Sequence, residues 1–194
     1  GSGYGQVYSP WTYLKIRPRT PRKVLRSGMQ NDYLVTMNPF SAAQSPNQCF
    51  IRFFYDTFAQ IGPDLKPQPW AAESWKVVNL KTIDLVLRKG MKFHDGRPVT
   101  GEDVRFTFDY LKKWEFPFFR NAMAVIDRVE VSGMNFRIHL TEPFAPFIFT
   151  VLTWIFILPK HIWEKIPESV GVKHPGEYQN PNPIGSGPFK FGYI

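Results

Sequence analysis

Residues 89–113, KGMKFHDGRPVTGEDVRFTFDYLKK, constrain the fold more than any other stretch of the chain. They prescribe a strand end, a tight turn and a capped helix in succession. Asp95-Gly96 is a strong turn pair, because Gly tolerates positive φ and the Asp side chain can accept from nearby backbone N–H groups. Pro98 stiffens the approach. Thr100, with Asp103 three residues on, resembles a capping box, although its reciprocal contact normally uses Glu or Gln; Glu102 and Asp103 suit the positive end of a helix dipole. Val104, Phe106, Phe108 and Tyr110 alternate as a strand would, yet they also form two adjacent helical rows, 104/108/111 and 106/110/114. The capping signal and the helix-favouring Leu111-Lys112-Lys113 decide for a helix over 101–114.

Other elements follow from periodicity. Residues 23–29 read as a first short strand. A helix is expected from Pro46 or Asn47 to Gln60, with Phe50, Phe53, Phe54 and Phe58 on one face and Gly62-Pro63 as its stop. A strand around 74–78 pairs with 82–88, where Ile83, Leu85 and Leu87 share a face, through a turn at 79–81. A second hairpin joins 127–132 to the strand carrying Phe136, Ile138 and Leu140. An apolar helix over 144–157 comes next, then a short helix near 161–165 and a Pro/Asn/Gly loop over 167–183. Ile184 opens a turn that enters a last strand. The order is that of a mixed α/β (α+β) fold without a strict βαβ repeat. The final strand stops abruptly at Ile194, as a fragment of a longer chain would.

Charge separates the chain into two parts. Residues 1–31 hold six basic side chains and no acid, whereas the remainder carries 18 basic against 16 acidic side chains. The net charge of +8 is therefore mostly an N-terminal arm. Pro18 and Pro21 interrupt that arm, and the body offers no basic stripe, so a nucleic-acid footprint is not continued. A solvated leader near a membrane anchor, or a flexible start, is the simpler reading. The single Cys49 permits no internal disulfide and, beside Phe50, reads as a small buried residue. The apolar run from Pro143 to Pro159 is shorter than the ~20 residues that span a bilayer and contains Pro146. No signal-peptide pattern is visible at GSGYGQ.

Candidate chemistry is sparse. His161 and Glu164, three apart, are two ligands and do not make a metal site. His94 beside Asp95 resembles half a catalytic dyad but sits in a turn. Glu73, Asp84 and Asp103 have no spacing that makes a carboxylate pair. Gly185-Ser186-Gly187 lacks the third glycine and the Lys-Ser/Thr of a phosphate loop, and Pro188 blocks a helix start. No pattern supports an enzyme or a cofactor. Trp70, Trp75, Trp114, Trp154 and Trp163 could line a binding cleft, though each reads more readily as core.

The ordered set of local motifs resembles the dipeptide/oligopeptide-type solute-binding proteins of ABC importers, extracellular solute-binding protein family 5. Asn38-Pro39-Phe40 stands at that family's "LDP"-like loop, and Phe54-Tyr55-Asp56-Thr57-Phe58 at its "YEGL"-like helix end. Residues 89–113 carry its central signature. Thr141 to Phe147 matches "KEPFAPF", Leu158 to Ile162 matches "VPKHI", and Asn182 to Phe191 matches "NPVGTGPYKF". Gly101 and Ser186 replace the usual Ala and Thr. The resemblance covers roughly residues 24–194.

It implies a type II periplasmic-binding-protein-like lobe carrying a β-hairpin/helix subdomain, with the second lobe absent. The implied divisions are an extended basic arm at 1–22, the first part of lobe I at 23–48, the hairpin/helix subdomain at 49–165, and a truncated return to lobe I at 166–194. The implied function is an extracytoplasmic receptor that captures oligopeptides for an ABC importer, acting as a monomer with permease subunits as partners. Its membrane contact would run only through an N-terminal anchor outside this chain. The implied ligand-facing residues are Asn38, Phe40, Ser41, Trp154 and Gly187. An oligosaccharide receptor of the same family is the alternative; a glycoside hydrolase or a nucleic-acid-binding domain lies further off. Weak or undetectable ligand binding by the 194 residues alone is expected.

Overall fold

The computed structural model describes residues 36–41 and 50–192. The basic arm, the strand expected at 23–29, Cys49 and the start of the helix expected from Pro46 lie outside the described residues. The order of strands is β1 (Ala59–Ile61), β2 (Pro67–Pro69), β3 (Ala72–Asn79), β4 (Thr82–Leu87), β5 (Ile126–Ser132) and β6 (Asn135–Leu140). Among the described residues, besides the end of a helical turn at 50–51, the α-helices are α1 (Gly101–Trp114), α2 (Arg120–Ala124) and α3 (Lys160–Trp163). β1 and β2 form a small antiparallel pair, and the other four strands make one antiparallel sheet in the order β3-β4-β6-β5.

The two hairpins arise where the alternation places them. Along β4, Ile83, Leu85 and Leu87 are buried, and along β6 so are Phe136, Ile138 and Leu140. The register aligns Leu85 with Phe136 and Ile83 with Ile138, so one apolar face runs across the sheet. On the opposite face, Lys76, Asp84, Arg137 and Glu130 fall in one cross-strand row of alternating charge. α1 covers the apolar face: Val104, Phe108 and Leu111 are buried, and Phe58 stacks on Phe108 at 5.4 Å while touching Phe136 at 5.6 Å.

α1 begins as its capping residues dictate. The Asp103 carboxylate accepts from the Thr100 N–H at 2.9 Å and the Thr100 hydroxyl at 2.7 Å. Its other oxygen accepts from the Lys160 N–H at 3.0 Å, which ties the start of α1 to the start of α3. Lys112 Nζ donates to the Ile126 and Asp127 carbonyls and ties the far end of α1 to β5.

Three expected elements are overturned. The helix expected to reach Gln60 ends by Tyr55, whose N–H bonds to the Ile51 carbonyl. Thr57 then bridges antiparallel to Phe156, and residues 59–61 are strand. Tertiary partners claim this backbone: the Asp56 carbonyl takes the Ile157 N–H, and the Phe58 carbonyl takes those of Trp70 and Ala72. The helix expected over 144–157 is reduced to a single π turn, Ile148–Leu152. Residues 155–158 are extended and fully buried; the Leu158 N–H bonds to the Thr107 hydroxyl oxygen at 2.9 Å. The described residues of the closing segment form no strand either. Residues 184–192 are irregular and dock by the Gly187 and Phe189 N–H groups onto the Phe54 and Phe53 carbonyls.

Candidate functional site

The 38–41 loop is built around Asn38, which is completely buried. Its Nδ2 donates to the Pro175 and Tyr178 carbonyls, both at 2.8 Å, and its Oδ1 accepts from the Phe40 and Ser41 N–H groups. Every donor and acceptor of the amide is thereby used within the chain. Ser41 is exposed and donates its hydroxyl to the Gly176 carbonyl at 2.6 Å. Asn180 completes this junction, donating to the Met37 carbonyl and to the Tyr55 hydroxyl oxygen. Burial raises the Tyr55 phenol well above its ordinary value, so it stays protonated.

Phe40 is buried and leads into a continuous line of rings. It meets Phe119 edge-on at 5.3 Å; Phe119 meets Phe118 at 4.9 Å; Phe118 meets Trp154 at 5.5 Å. The Arg52 guanidinium lies 5.5 Å from the Trp154 ring and 5.7 Å from that of Phe156, and donates to the Thr153 carbonyl at 2.8 Å. Phe118 is 49% exposed and Trp154 half-buried, so the line ends in a shelf open to solvent. Such a shelf offers flat apolar contact and, through the guanidinium, a fixed positive charge beside it.

Gly187 sits against Phe53 and Phe54. A Cβ there would lie 2.6 Å from the Phe54 carbonyl carbon, and one at Gly185 would lie 2.1 Å from the Phe54 carbonyl oxygen. Only glycine permits this approach of two backbones. His94 clamps the same turn: its Nε2 is 2.9 Å from the Gly187 carbonyl, its Nδ1 is 3.4 Å from the Gly185 N–H, and its own N–H bonds to the Gly185 carbonyl. An imidazole protonated on Nε2 alone satisfies both ring contacts. His94 is therefore turn architecture, as its sequence context implies, but its reach to residues 185–187 was not legible there. Asp95 is spent on His161, 2.6 Å away, and on the Arg97 N–H. Burial alone would raise the Asp95 carboxyl; those two partners outweigh it and hold it below the ordinary range.

Behind the turn lies a buried acid. Asp56 accepts from the Trp70 indole at 2.8 Å. Burial pushes its carboxyl above the ordinary range, against the opposing pull of Trp70, Ser186 and more distant His94 and Arg88. The Ser186 hydroxyl acts on this carboxyl yet closes no hydrogen bond of ordinary geometry.

Of the sequence candidates, Phe40 and Trp154 belong to one ring line, Asn38 and Ser41 to the loop that starts it, and Gly187 to the turn docked on Phe53 and Phe54. Phe118 and Arg52 were not singled out by sequence. The available signal for the first was Pro117, which marks a break after α1 and hence a surface segment. Trp163 is core, whereas Trp70, Trp75 and Trp114 keep partial exposure away from the shelf. Among the described residues no three His, Cys, Asp or Glu side chains are grouped to hold a metal, and no helix is long and apolar enough to cross a membrane.

A mixed sheet-and-helix lobe of this form defines the type II periplasmic-binding-protein class. Residues 66–193 match the family model described as bacterial extracellular solute-binding proteins, family 5, middle region, and the chain belongs to that family. The oligopeptide-binding protein AppA of Bacillus subtilis is 33% identical over 112 residues, which span 56% of this chain and 20% of that protein. Its structure in complex with a nonapeptide superposes with a TM-score of 0.69 at 26% identity, covering 81% of this chain and 31% of that one. A periplasmic oligopeptide-binding protein of Thermotoga maritima, solved with mannohexaose bound, superposes with a TM-score of 0.70 at 31% identity, covering 80% of this chain and 28% of that one. The matched part of this chain thus spans about a fifth of the curated relative's length.

Proposed function

We propose that the chain contributes one wall of the solute site of an extracytoplasmic receptor that captures oligopeptides for an ABC importer and hands them to its permease subunits. The observation that carries this reading is the exposed Phe118–Trp154 shelf beside the Arg52 guanidinium, in a chain of the solute-binding family. Flat rings take peptide side chains without demanding one sequence. Ser41, Trp154 and Phe118 face the ligand. Asn38, Phe40 and Gly187 act one step behind: their polar groups or surfaces are consumed inside the chain, and they hold the loop and the turn in place. The bonds from the 36–41 segment to residues 175–180 support grouping those two stretches as one lobe, with the hairpin/helix subdomain between them. The receptor works as a monomer on the outer face of the cell membrane.

A second reading is an oligosaccharide receptor. The mannohexaose in the Thermotoga maritima relative and the ability of open aromatic rings to stack on sugar faces favour it. Titrating the chain with a nonapeptide and, separately, with mannohexaose while following the Trp154 indole resonance distinguishes the two. The peptide is expected to move that resonance, and Trp154→Ala to abolish the response of the remaining resonances nearby. A response to mannohexaose alone would replace the peptide reading by the sugar reading.

A further inference from the structure

A second, independent concavity lies on the far side of α1. Phe106, Tyr110 and Trp114 recur at four-residue spacing and form one ridge along the helix, with ring centroids 5.0 Å and 6.2 Å apart in succession. The ridge floors a cavity of about 240 Å3, closed opposite by the chain leaving α3. Asp109, Glu164 and Glu168 stand at its rim, and among the described residues none of these carboxylates has a hydrogen-bonded or ion-paired partner. One cation is already there: Lys113 Nζ lies 5.0 Å from the centroid of the Trp114 ring. That contact shows the indole face accepting an ammonium group in this setting. The cavity is smaller than the roughly 300–1,000 Å3 of a drug-sized ligand site, and so fits a single side-chain-sized group.

From the ridge, the resident ammonium and the three unpaired carboxylates, we propose that this cavity binds an organic cation, an ammonium group on a short apolar stem. The stem lies along Phe106 and Tyr110, and the charge sits between the Trp114 face and the rim carboxylates. Lys113 is then a competitor and not a ligand: it occupies the ring face when the cavity is empty and repels the incoming charge. Burial raises the Asp109 carboxyl against the opposing pull of Arg105 and Lys112, also on α1, neither of which lines the cavity. The same ammonium chemistry is offered by a free diamine and by a lysine side chain of a polypeptide.

The test follows the Trp114 indole resonance of the isotope-labelled chain, with cadaverine in one arm and N-acetyl-lysine methylamide in the other. Either probe is expected to shift it saturably; the tighter of the two identifies the source as free amine or side chain. Replacing both Glu164 and Glu168 by Gln is expected to weaken binding about tenfold, and Lys113→Met to tighten it. Tightening is the outcome that a merely solvated acidic rim does not produce. Should the double variant lose its fold, Asp109→Asn, on an exposed helical position, repeats the measurement. The proposal is overturned if neither probe moves Trp114, if sodium chloride at equal ionic strength reproduces the shift, or if Lys113→Met leaves the affinity unchanged.

Discussion

At Asn38 one buried amide serves four backbone groups drawn from two distant segments. Asn38→Ala leaves two carbonyls and two N–H groups without it, and buried unpaired groups cost about 1–3 kcal/mol each before water relieves some of them. A loss of about 3 kcal/mol in urea-induced unfolding is expected; a loss under about 1 kcal/mol would mean the loop repacks without its amide. Two carboxyls give opposite pH signatures. Asp56 is held above the ordinary value of about 3.9, so the folded state binds its proton more tightly than the unfolded chain. Its contribution is complete below about 3.9 and is lost as pH rises through the folded value. Asp95 is held below that value, so its contribution is present above about 3.9 and is lost as pH falls through its folded value. Asp56→Asn keeps an acceptor for Trp70 and should match or exceed the parent in stability at neutral pH, whereas Asp95→Asn should lose stability there and converge with the parent in acid. Unfolding midpoints across the acid-to-neutral range decide both, and parallel curves for parent and variants would refute the assigned signs.

Among the elements, α1 and the two hairpins were legible because their instructions are local: a cap, a turn pair, an alternation of period two. The helices expected over 47–60 and 144–157 were not. Both stretches are rich in apolar residues, and periodicity alone cannot separate a helix from a buried extended segment. The deciding facts are distant partners, the Phe156 bridge to Thr57 and the Thr107 hydroxyl under Leu158. The site divides in the same way. Trp154 could be named from its residue type, but the roles of Phe118 and Arg52 depend on which surfaces the fold leaves open. Gly101 shows how an element's start is set from outside. An Ala there improves intrinsic helix propensity, by less than the roughly 1 kcal/mol of a helix interior because Gly101 is the first helical residue, and the resemblance leads one to expect it. Yet a Cβ would stand 2.3 Å from Val131 Cγ1 and 2.6 Å from the Gly133 carbonyl oxygen. The side chain can turn away; the backbone oxygen cannot without moving the β5–β6 turn. Gly101→Ala is therefore expected to lower the thermal midpoint, and a raised midpoint would show that the turn shifts at no cost.

On the scale of the molecule, the shelf decides how well these residues bind by themselves. Its rings are open on one side: Phe118 is 49% exposed, and Phe149, at the start of the segment that delivers Trp154, is 46% exposed. Sites that hold small ligands tightly bury 70–90% of the ligand surface, and a single open wall cannot approach that. If the shelf takes a peptide, as proposed, its contacts must also offset the lost freedom of that peptide, which costs at least several kcal/mol on association. What remains corresponds to a dissociation constant on the order of 1 mM or weaker. Calorimetry of the 194-residue chain with a nonapeptide should accordingly give no saturable heat at micromolar concentrations, while the Trp154 resonance still moves in the millimolar range. A micromolar constant would mean that a second surface closes over the shelf within these residues, and the one-wall reading would have to be abandoned.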